Sequence, residues 1–153
     1  CLEEAGCALH TGPDRVVLTS CAPLRGISPV RTAPYPGFPT DAQAILMAAL
    51  AGGEGATLFV ENMFDSRYRH VGELRRMGAD IQLAGRAAMV SGVGRLHGAS
   101  VRSTDLRGGA ALVVAALGAE GTTQVSGLHH IGRGYQALDK NLRALGADIR
   151  RVP

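Results

Sequence analysis

Thr32-Ala-Pro-Tyr-Pro-Gly-Phe-Pro-Thr-Asp-Ala-Gln-Ala-Ile-Leu-Met-Ala-Ala-Leu50 is the stretch from which the fold can be read. Pro34, Pro36 and Pro39 each fix φ and bias the preceding residue to extended geometry, so the approach to Thr40 is predicted to be ordered and non-helical. Beyond it, Ala42, Ala44, Ile45, Leu46, Met47, Ala48, Ala49 and Leu50 leave a helix with no polar face. Such a helix has nothing to offer water and must be enclosed on every side. Asp41 stands at its start and reads as the N-cap, its carboxylate accepting from free backbone N–H groups. The same position would also suit a carboxylate presented to a ligand.

Outward from this stretch the chain repeats itself. Leu2-Glu-Glu-Ala-Gly6-Cys-Ala-Leu9, Leu74-Arg-Arg-Met-Gly78-Ala-Asp-Ile81 and Leu142-Arg-Ala-Leu-Gly146-Ala-Asp-Ile149 each read as a helix end, a C′ glycine and a strand start. Thr40-Asp41 and Thr104-Asp105 each precede an apolar helix, 64 positions apart. The glycines that close those helices, Gly55 and Gly121, lie 66 apart. Together these imply a tandem supersecondary unit of about 65 to 70 residues, with units at about 22–90 and 91–153 and residues 1–21 as the remnant of a preceding one.

The predicted order is strand, helix, strand, helix, strand. In the first unit the elements are 26–31, 41–51, 56–61, 68–77 and 79–83, followed by a further strand at 87–90. In the second they are 100–103, 108–117, 122–126, 135–145 and 147–152. The second helix of each unit carries a narrower stripe, Val71-Leu74-Met77 and Leu138-Leu142-Leu145. The expected class is α/β, with the apolar helices inward and short strands forming sheets outside them.

With 153 residues, 46% of them hydrophobic, one core is expected. The chain lacks an initiator Met, and residues 2–6 read as the last turn of a helix whose beginning is missing, so a fragment is expected. No apolar run reaches the roughly 18 to 20 residues of a membrane span, and no signal-peptide pattern is present; a cytoplasmic protein is expected. Cys1, Cys7 and Cys21 show neither a disulfide framework nor metal-ligand spacing, so free thiols and no metal follow. Of 16 basic residues only Lys140 is lysine, and arginine's planar fork suits phosphate and carboxylate ligands. Aromatics are 4% and the arginines are interspersed with acids, unlike a nucleic-acid surface.

Three junctions could carry chemistry. Asp105-Leu106-Arg107-Gly108-Gly109 sets a guanidinium at a helix N-terminus, with glycines that would let backbone N–H groups approach an anion. His129-His130-Ile-Gly-Arg133-Gly-Tyr135 places Arg133 in a glycine-flanked loop. Glu61-Asn-Met-Phe-Asp-Ser-Arg67 could line a ligand edge with the Met63 backbone and the Phe64 ring. His10, His70, His97, His129 and His130 are assigned no role.

The residues Pro34-x-Pro36-x-Phe38-Pro39-Thr40-Asp41-x-Gln43-Ala44, Glu61-Asn62-x-Phe64, Arg67, His70-Val71-x-Glu73-Leu74-x-Arg76-Met77-Gly78-Ala79, Thr104-Asp105-Leu106-Arg107 and Arg133-Gly134-Tyr135 with Leu142-Arg143-Ala144-Leu145-Gly146-Ala147 resemble the UDP-N-acetylglucosamine enolpyruvyl transferases (1-carboxyvinyltransferases). The resemblance runs from about Leu2 to the end. It implies two domains, each an inside-out α/β barrel of three repeated units, of which this chain would hold about two. It implies transfer of the enolpyruvyl group of phosphoenolpyruvate to the 3′-hydroxyl of UDP-N-acetylglucosamine, the first committed step of peptidoglycan synthesis, with no cofactor. On matching positions Asp41 would accept the hydroxyl proton, Met63 and Phe64 would meet the nucleotide sugar, and Arg107 and Arg133 would face phosphoenolpyruvate. Asp105 would sit beside the reacting centre.

This sequence departs from the family at Gly132, where Asp usually precedes the arginine, at Ser66, where Asn is usual, and at Gly108-Gly109. The family's reactive cysteine and the rest of its phosphoenolpyruvate site match nothing here and belong to the other domain. Two other readings stand beside this one: the related 5-enolpyruvylshikimate-3-phosphate synthases, and a non-catalytic nucleotide-binding repeat domain.

Overall fold

The computed structural model describes residues 1–20 and 23–152. Cys21 lies outside them, while Cys1 (exposed) and Cys7 (buried) are free thiols. A turn ending at Gly6 leads into the antiparallel hairpin β1 (Ala8–Thr11) and β2 (Val16–Thr19). β3 (Val30–Arg31) runs parallel to β4 (Ala56–Val60), with α1 (Thr40–Ala51) as the crossover. After α2 (Val71–Arg76), the hairpin β5 (Asp80–Ala84) and β6 (Ala87–Ser91) folds back antiparallel onto β4, giving a sheet in the order β3-β4-β6-β5. β7 (Ser100–Arg102) and β8 (Gln124–Ser126) are again parallel, with α3 (Leu106–Gly118) between them. α4 (Leu128–Ile131) and α5 (Leu138–Ala144) follow.

α1 packs directly on α3. Ala44, Ala48 and Ala51 of one helix and Ala110, Ala111 and Ala115 of the other are all buried, and their small side chains let the two backbones approach closely. Met47 and Leu112 fill the space around them, and Phe59, Ala88, Val90, Val71 and Leu74 close the cluster from the sheet and from α2. Within α1 only Asp41 is exposed, so the absence of a polar face becomes enclosure. Among the described residues no helix is long and apolar enough to cross a membrane.

The threefold phrase folds into one turn three times. Cys7, Ala79 and Ala147 donate to the carbonyls of Leu2, Leu74 and Leu142 at 3.0, 3.1 and 3.0 Å, and Gly6, Gly78 and Gly146 donate to Glu3, Arg75 and Arg143, each at 3.0 Å. This is the Schellman pattern, and it requires the left-handed φ of 99°, 89° and 95° that these glycines adopt. The hairpins after the first two turns share a register, Ala8 opposite Thr19 and Asp80 opposite Ser91. α1 and α3 begin at 40 and 106, the 66-residue spacing of Gly55 and Gly121 and not the 64 of the Thr-Asp phrase. Asp41 therefore corresponds in place to Arg107, and Asp105 to Pro39.

Several predicted boundaries move for identifiable reasons. The strand expected at 26–31 is confined to β3, because the Ile27 N–H goes to the Thr57 hydroxyl at 2.9 Å and interrupts the ladder. The helix expected at 135–145 starts only at Leu138: Tyr135 still bonds back to Ile131, and Ala137 has φ of 47°. Residues 147–152 form no strand, although the expectation was a strand there. In the first unit the matching strand β5 is held by β6, and these residues have no such partner among the described ones. His129 and His130 lie in α4, not in a loop.

Two glycines mark places where backbones touch. A Cβ on Gly26 would stand 2.4 Å from the Ala56 carbonyl oxygen, and one on Gly98 would stand 2.3 Å from that of Thr122. Neither neighbour is a side chain that can turn aside. Gly26→Ala and Gly98→Ala are each expected to cost about 1–3 kcal/mol in urea unfolding. Gly72→Ala, which meets nothing within 4 Å, is expected to leave stability unchanged or raise it by about 0.5–1 kcal/mol through helix propensity. Equal effects at all three sites would contradict the close approach.

Candidate active site

The start of α1, the loop after β4 and the start of α3 meet at one carboxylate. Asp41 Oδ1 accepts from Arg67 Nη2 at 2.7 Å, and its Oδ2 accepts from Arg107 Nη2 at 2.6 Å. The Asp41 side chain is 55% exposed and those of Arg67 and Arg107 26% and 28%, so the cluster opens to solvent on the carboxylate side. The hydrogen bond from Arg107 holds the Asp41 carboxyl below the usual range; burial opposes it, and the charges of Arg107 and Arg67 add to it. The same bond to Asp41, with a weaker one to the Tyr135 hydroxyl at 3.3 Å, stabilises the Arg107 cation further. Phe64 lies under Arg67, 5.0 Å from guanidinium carbon to ring centre, and Tyr135 lies 5.9 Å from Arg107.

Asp41 is not the helix cap that the sequence suggested. Pro39 is the N-cap residue and no side chain caps α1. The Thr40 hydroxyl is drawn to Glu61 and the Asp41 carboxylate to the two arginines, so neither folds back on the helix N–H groups. Asp105, by contrast, caps α3 and accepts from the Gly108 N–H at 2.7 Å. This overturns the expected use of the two glycines. The Gly108 and Gly109 N–H groups both go to Asp105 and not to a ligand. The glycines serve packing instead: a Cβ on Gly109 would stand 2.2 Å from Ser103 Oγ, and one on Gly108 2.9 Å from His70 Cβ.

Behind Asp41 lies a buried carboxylate, Glu61, 1% exposed. Its Oε1 accepts from the Thr32 hydroxyl at 2.9 Å and the N–H groups of Met63 and Phe64 at 2.8 and 3.1 Å, and its Oε2 accepts from the Thr40 hydroxyl at 2.8 Å. Burial would raise the Glu61 carboxyl, but these four bonds together outweigh it and keep the group below its ordinary value. Met63 and Phe64 are exposed, and with its N–H committed, Met63 has its carbonyl to offer a ligand. Ser66 has φ of 59°, an uncommon left-handed value outside glycine that turns the chain sharply just before Arg67. A cleft of about 210 Å³ lined by Phe64, Asp65, Ser66, Arg67, Arg69 and Asp105 opens beside it.

Of the residues singled out in sequence, Asp41 and Arg107 are thus in contact, and Met63 and Phe64 border them through Glu61. Asp105 acts on the backbone of α3. Arg133 is exposed after α4, and no hydrogen bond or ion pair joins it to the others. Arg67, Thr40, Glu61 and Tyr135 complete the arrangement without having been assigned a place. Their signal was a carboxylate at the end of the apolar strand Ala-Thr-Leu-Phe-Val60, where a further apolar residue would otherwise be expected.

His70 is packed against the start of α3, 1% exposed, and neither ring nitrogen completes a hydrogen bond. Burial pushes it down to about 4, with the charge of Asp105 opposing this. Below pH 6.5 the unfolded chain takes up a proton there that the folded chain refuses, so stability falls as pH drops from about 6.5 to about 4. The loss from this group is about 3 kcal/mol over that window. Urea midpoints measured from pH 7 to 5 should decline in the native sequence and much less in His70→Gln; parallel slopes in the two would remove His70 as the cause.

The fold is that of an enolpyruvyl transferase. The chain superposes on the enolpyruvyl transferase NikO from Streptomyces tendae with a TM-score of 0.87 and 34% identity, over 97% of this chain and 34% of that one. The EPSP synthase of Acinetobacter baumannii shares the fold at a TM-score of 0.64 and 19% identity, over 98% of this chain and 35% of that one. Here it is a mixed α/β arrangement whose sheets lie outside the helices, with no closed barrel among the described residues. Residues 1–142 match the EPSP synthase (3-phosphoshikimate 1-carboxyvinyltransferase) family, and the chain belongs to it.

Similar proteins carry a narrower name. UDP-N-acetylglucosamine 1-carboxyvinyltransferase 2 of Caldanaerobacter subterraneus subsp. tengcongensis is 48% identical over 151 residues. The UDP-N-acetylglucosamine 1-carboxyvinyltransferases of Zymomonas mobilis and Desulfofundulus thermocisternus are 50% and 51% identical over 151 and 152 residues. Each match covers 99% of this chain, which spans 36%, 35% and 62% of the three relatives.

Proposed function

We propose that this chain forms part of an enzyme that transfers the enolpyruvyl group of phosphoenolpyruvate to the 3′-hydroxyl of UDP-N-acetylglucosamine, and that Asp41 is the group that takes the hydroxyl proton. The observation that carries this reading is a solvent-facing carboxylate clasped by two guanidiniums. One group of that cluster can receive a proton, and the others can hold an anionic co-substrate. In the net reaction the sugar oxygen bonds to the central carbon of the enol, the bond from that carbon to the phosphate oxygen breaks, and the hydroxyl proton leaves finally with inorganic phosphate. Arg107 and Arg133 would face phosphoenolpyruvate, Asp105 would hold the α3 start beside the reacting centre, and the Met63 carbonyl and Phe64 ring would border the sugar nucleotide.

Such a reaction belongs to peptidoglycan synthesis in the bacterial cytoplasm. The rest of the phosphoenolpyruvate site and a reactive cysteine would come from a second domain outside these 153 residues, and the chain alone is expected to show no turnover. Identities near 50% to proteins named for UDP-N-acetylglucosamine, against 19% to a solved EPSP synthase, favour this substrate over shikimate-3-phosphate.

The two arginines hold the Asp41 carboxylate, so an entering anion competes with it. Asp41→Asn is therefore expected to act in opposite directions on two ligands. Inorganic phosphate should bind about tenfold more tightly, because a like charge is removed from between the cations. UDP-N-acetylglucosamine should bind about tenfold more weakly, because a charged acceptor for its hydroxyl is lost. Calorimetry with each ligand reads both; weaker phosphate binding together with unchanged sugar-nucleotide binding would defeat the assignment of Asp41.

A further inference from the structure

We propose that Glu61 and Thr40 are positioning residues for the Asp41–Arg67 pair: the buried carboxylate fixes the direction of the Thr40 hydroxyl, and that hydroxyl fixes the guanidinium that holds Asp41. The catalytic importance of this arrangement rests on the reading of Asp41 as the proton acceptor, whereas the arrangement itself stands on geometry alone.

The direction of every proton along this path is determined. An ionised carboxylate only accepts and a guanidinium only donates. Thr40 Oγ1 lies between the two, 2.8 Å from Glu61 Oε2 and 3.1 Å from Arg67 Nε. Its single proton must therefore go to Glu61, and a lone pair must receive the Arg67 Nε–H. Arg67 Nη2, on the same edge of the guanidinium as Nε, then reaches Asp41 Oδ1 at 2.7 Å. With Nε and Nη2 both engaged, the plane of the guanidinium is set and not merely its position. Phe64, whose own N–H is held by Glu61 Oε1, supports the same guanidinium from below.

Thr32 is arranged in parallel on the other oxygen. Its hydroxyl donates to Glu61 Oε1 at 2.9 Å and accepts the Asn62 N–H at 2.8 Å. One buried carboxylate thus orients two hydroxyls, one that fixes the loop backbone and one that fixes Arg67. The two Glu61 oxygens are not equivalent, since Oε1 accepts three donors and Oε2 only the Thr40 hydroxyl. Glutamine at 61 would place its carbonyl where Oε1 stands and its NH₂ beside Thr40. The Thr40 proton would then lose its acceptor and the hydroxyl would face a donor instead, with the shape of the site unchanged.

The test uses the 153-residue chain and nuclear magnetic resonance. The Arg67 Nε–H signal, identified by its loss in Arg67→Lys, reports the bond to Thr40, and the Asp41 carboxyl carbon reports that group's titration. Thr40→Ser keeps the hydroxyl and should preserve both signatures. Thr40→Val keeps the size but not the hydroxyl; exchange of the Arg67 Nε–H with water should become about tenfold faster, and the Asp41 titration should move upward. Glu61→Gln should behave like Thr40→Val, and if it fails to fold, the Thr40 pair decides alone. An Arg67 signal and an Asp41 titration that are the same in Thr40→Val as in the native chain would overturn the proposal. Binding of UDP-N-acetylglucosamine, measured separately, bears on the functional reading: its absence, with the resonance changes as expected, would remove that reading and leave the positioning intact.

Discussion

Two helices that have no polar side to turn to water constrain everything else in this chain. α1 and α3 bury alanines against each other, and the remaining faces of both have to be covered by something. In α/β folds helices ordinarily cover a sheet. Here the relation is reversed, and short strands with one long four-stranded sheet surround the helices. Because the helices approach closely, their first turns are brought together as well. The site is a by-product of that packing: the only exposed residue of α1 is the one that meets Arg107 of α3.

Much of this was legible because it depends on composition and spacing. An unbroken run of eight apolar residues, as in Ala44–Ala51 and Ala110–Leu117, has few solutions, and the glycine of the Leu-x-x-x-Gly phrase closes its turn in the left-handed conformation at Gly6, Gly78 and Gly146. What was not legible depends on competition among partners. Asp41 has the sequence context of a cap, but α1 starts before it with Pro39 as the N-cap, so its carboxylate lies inside the first turn and meets two guanidiniums from distant segments. Asp105 has the same sequence context but stands one position ahead of its helix, and it caps. The Thr-Asp phrase therefore suggested a 64-residue register, whereas the backbone follows one of 66. The strand expected at 147–152 failed for a related reason, since a strand is defined by its neighbour and sequence pattern alone does not supply one.

The charges are layered by depth. Glu61 is sealed from water and fully supplied with donors, which makes it a rigid fixture that stays ionised. Asp41 is held from two sides yet faces solvent, which makes it exchangeable. The Thr40 hydroxyl joins the two layers through Arg67, accepting and donating at once. A buried carboxylate with one partner missing would be costly, so changes in the Glu61 shell threaten the fold, whereas changes at Asp41 should affect chiefly the ligand.

Positions 41 and 107 hold the same place in two helix starts, yet one is an acid and the other a base. A tandem of two identical copies would set carboxylate against carboxylate, or guanidinium against guanidinium, where α1 meets α3, and at salt-bridge distance either pairing repels. The halves can share a backbone plan only because they differ in sign at this point. The two helix starts share a backbone plan, and their difference in sign is what joins them at this end of the pair.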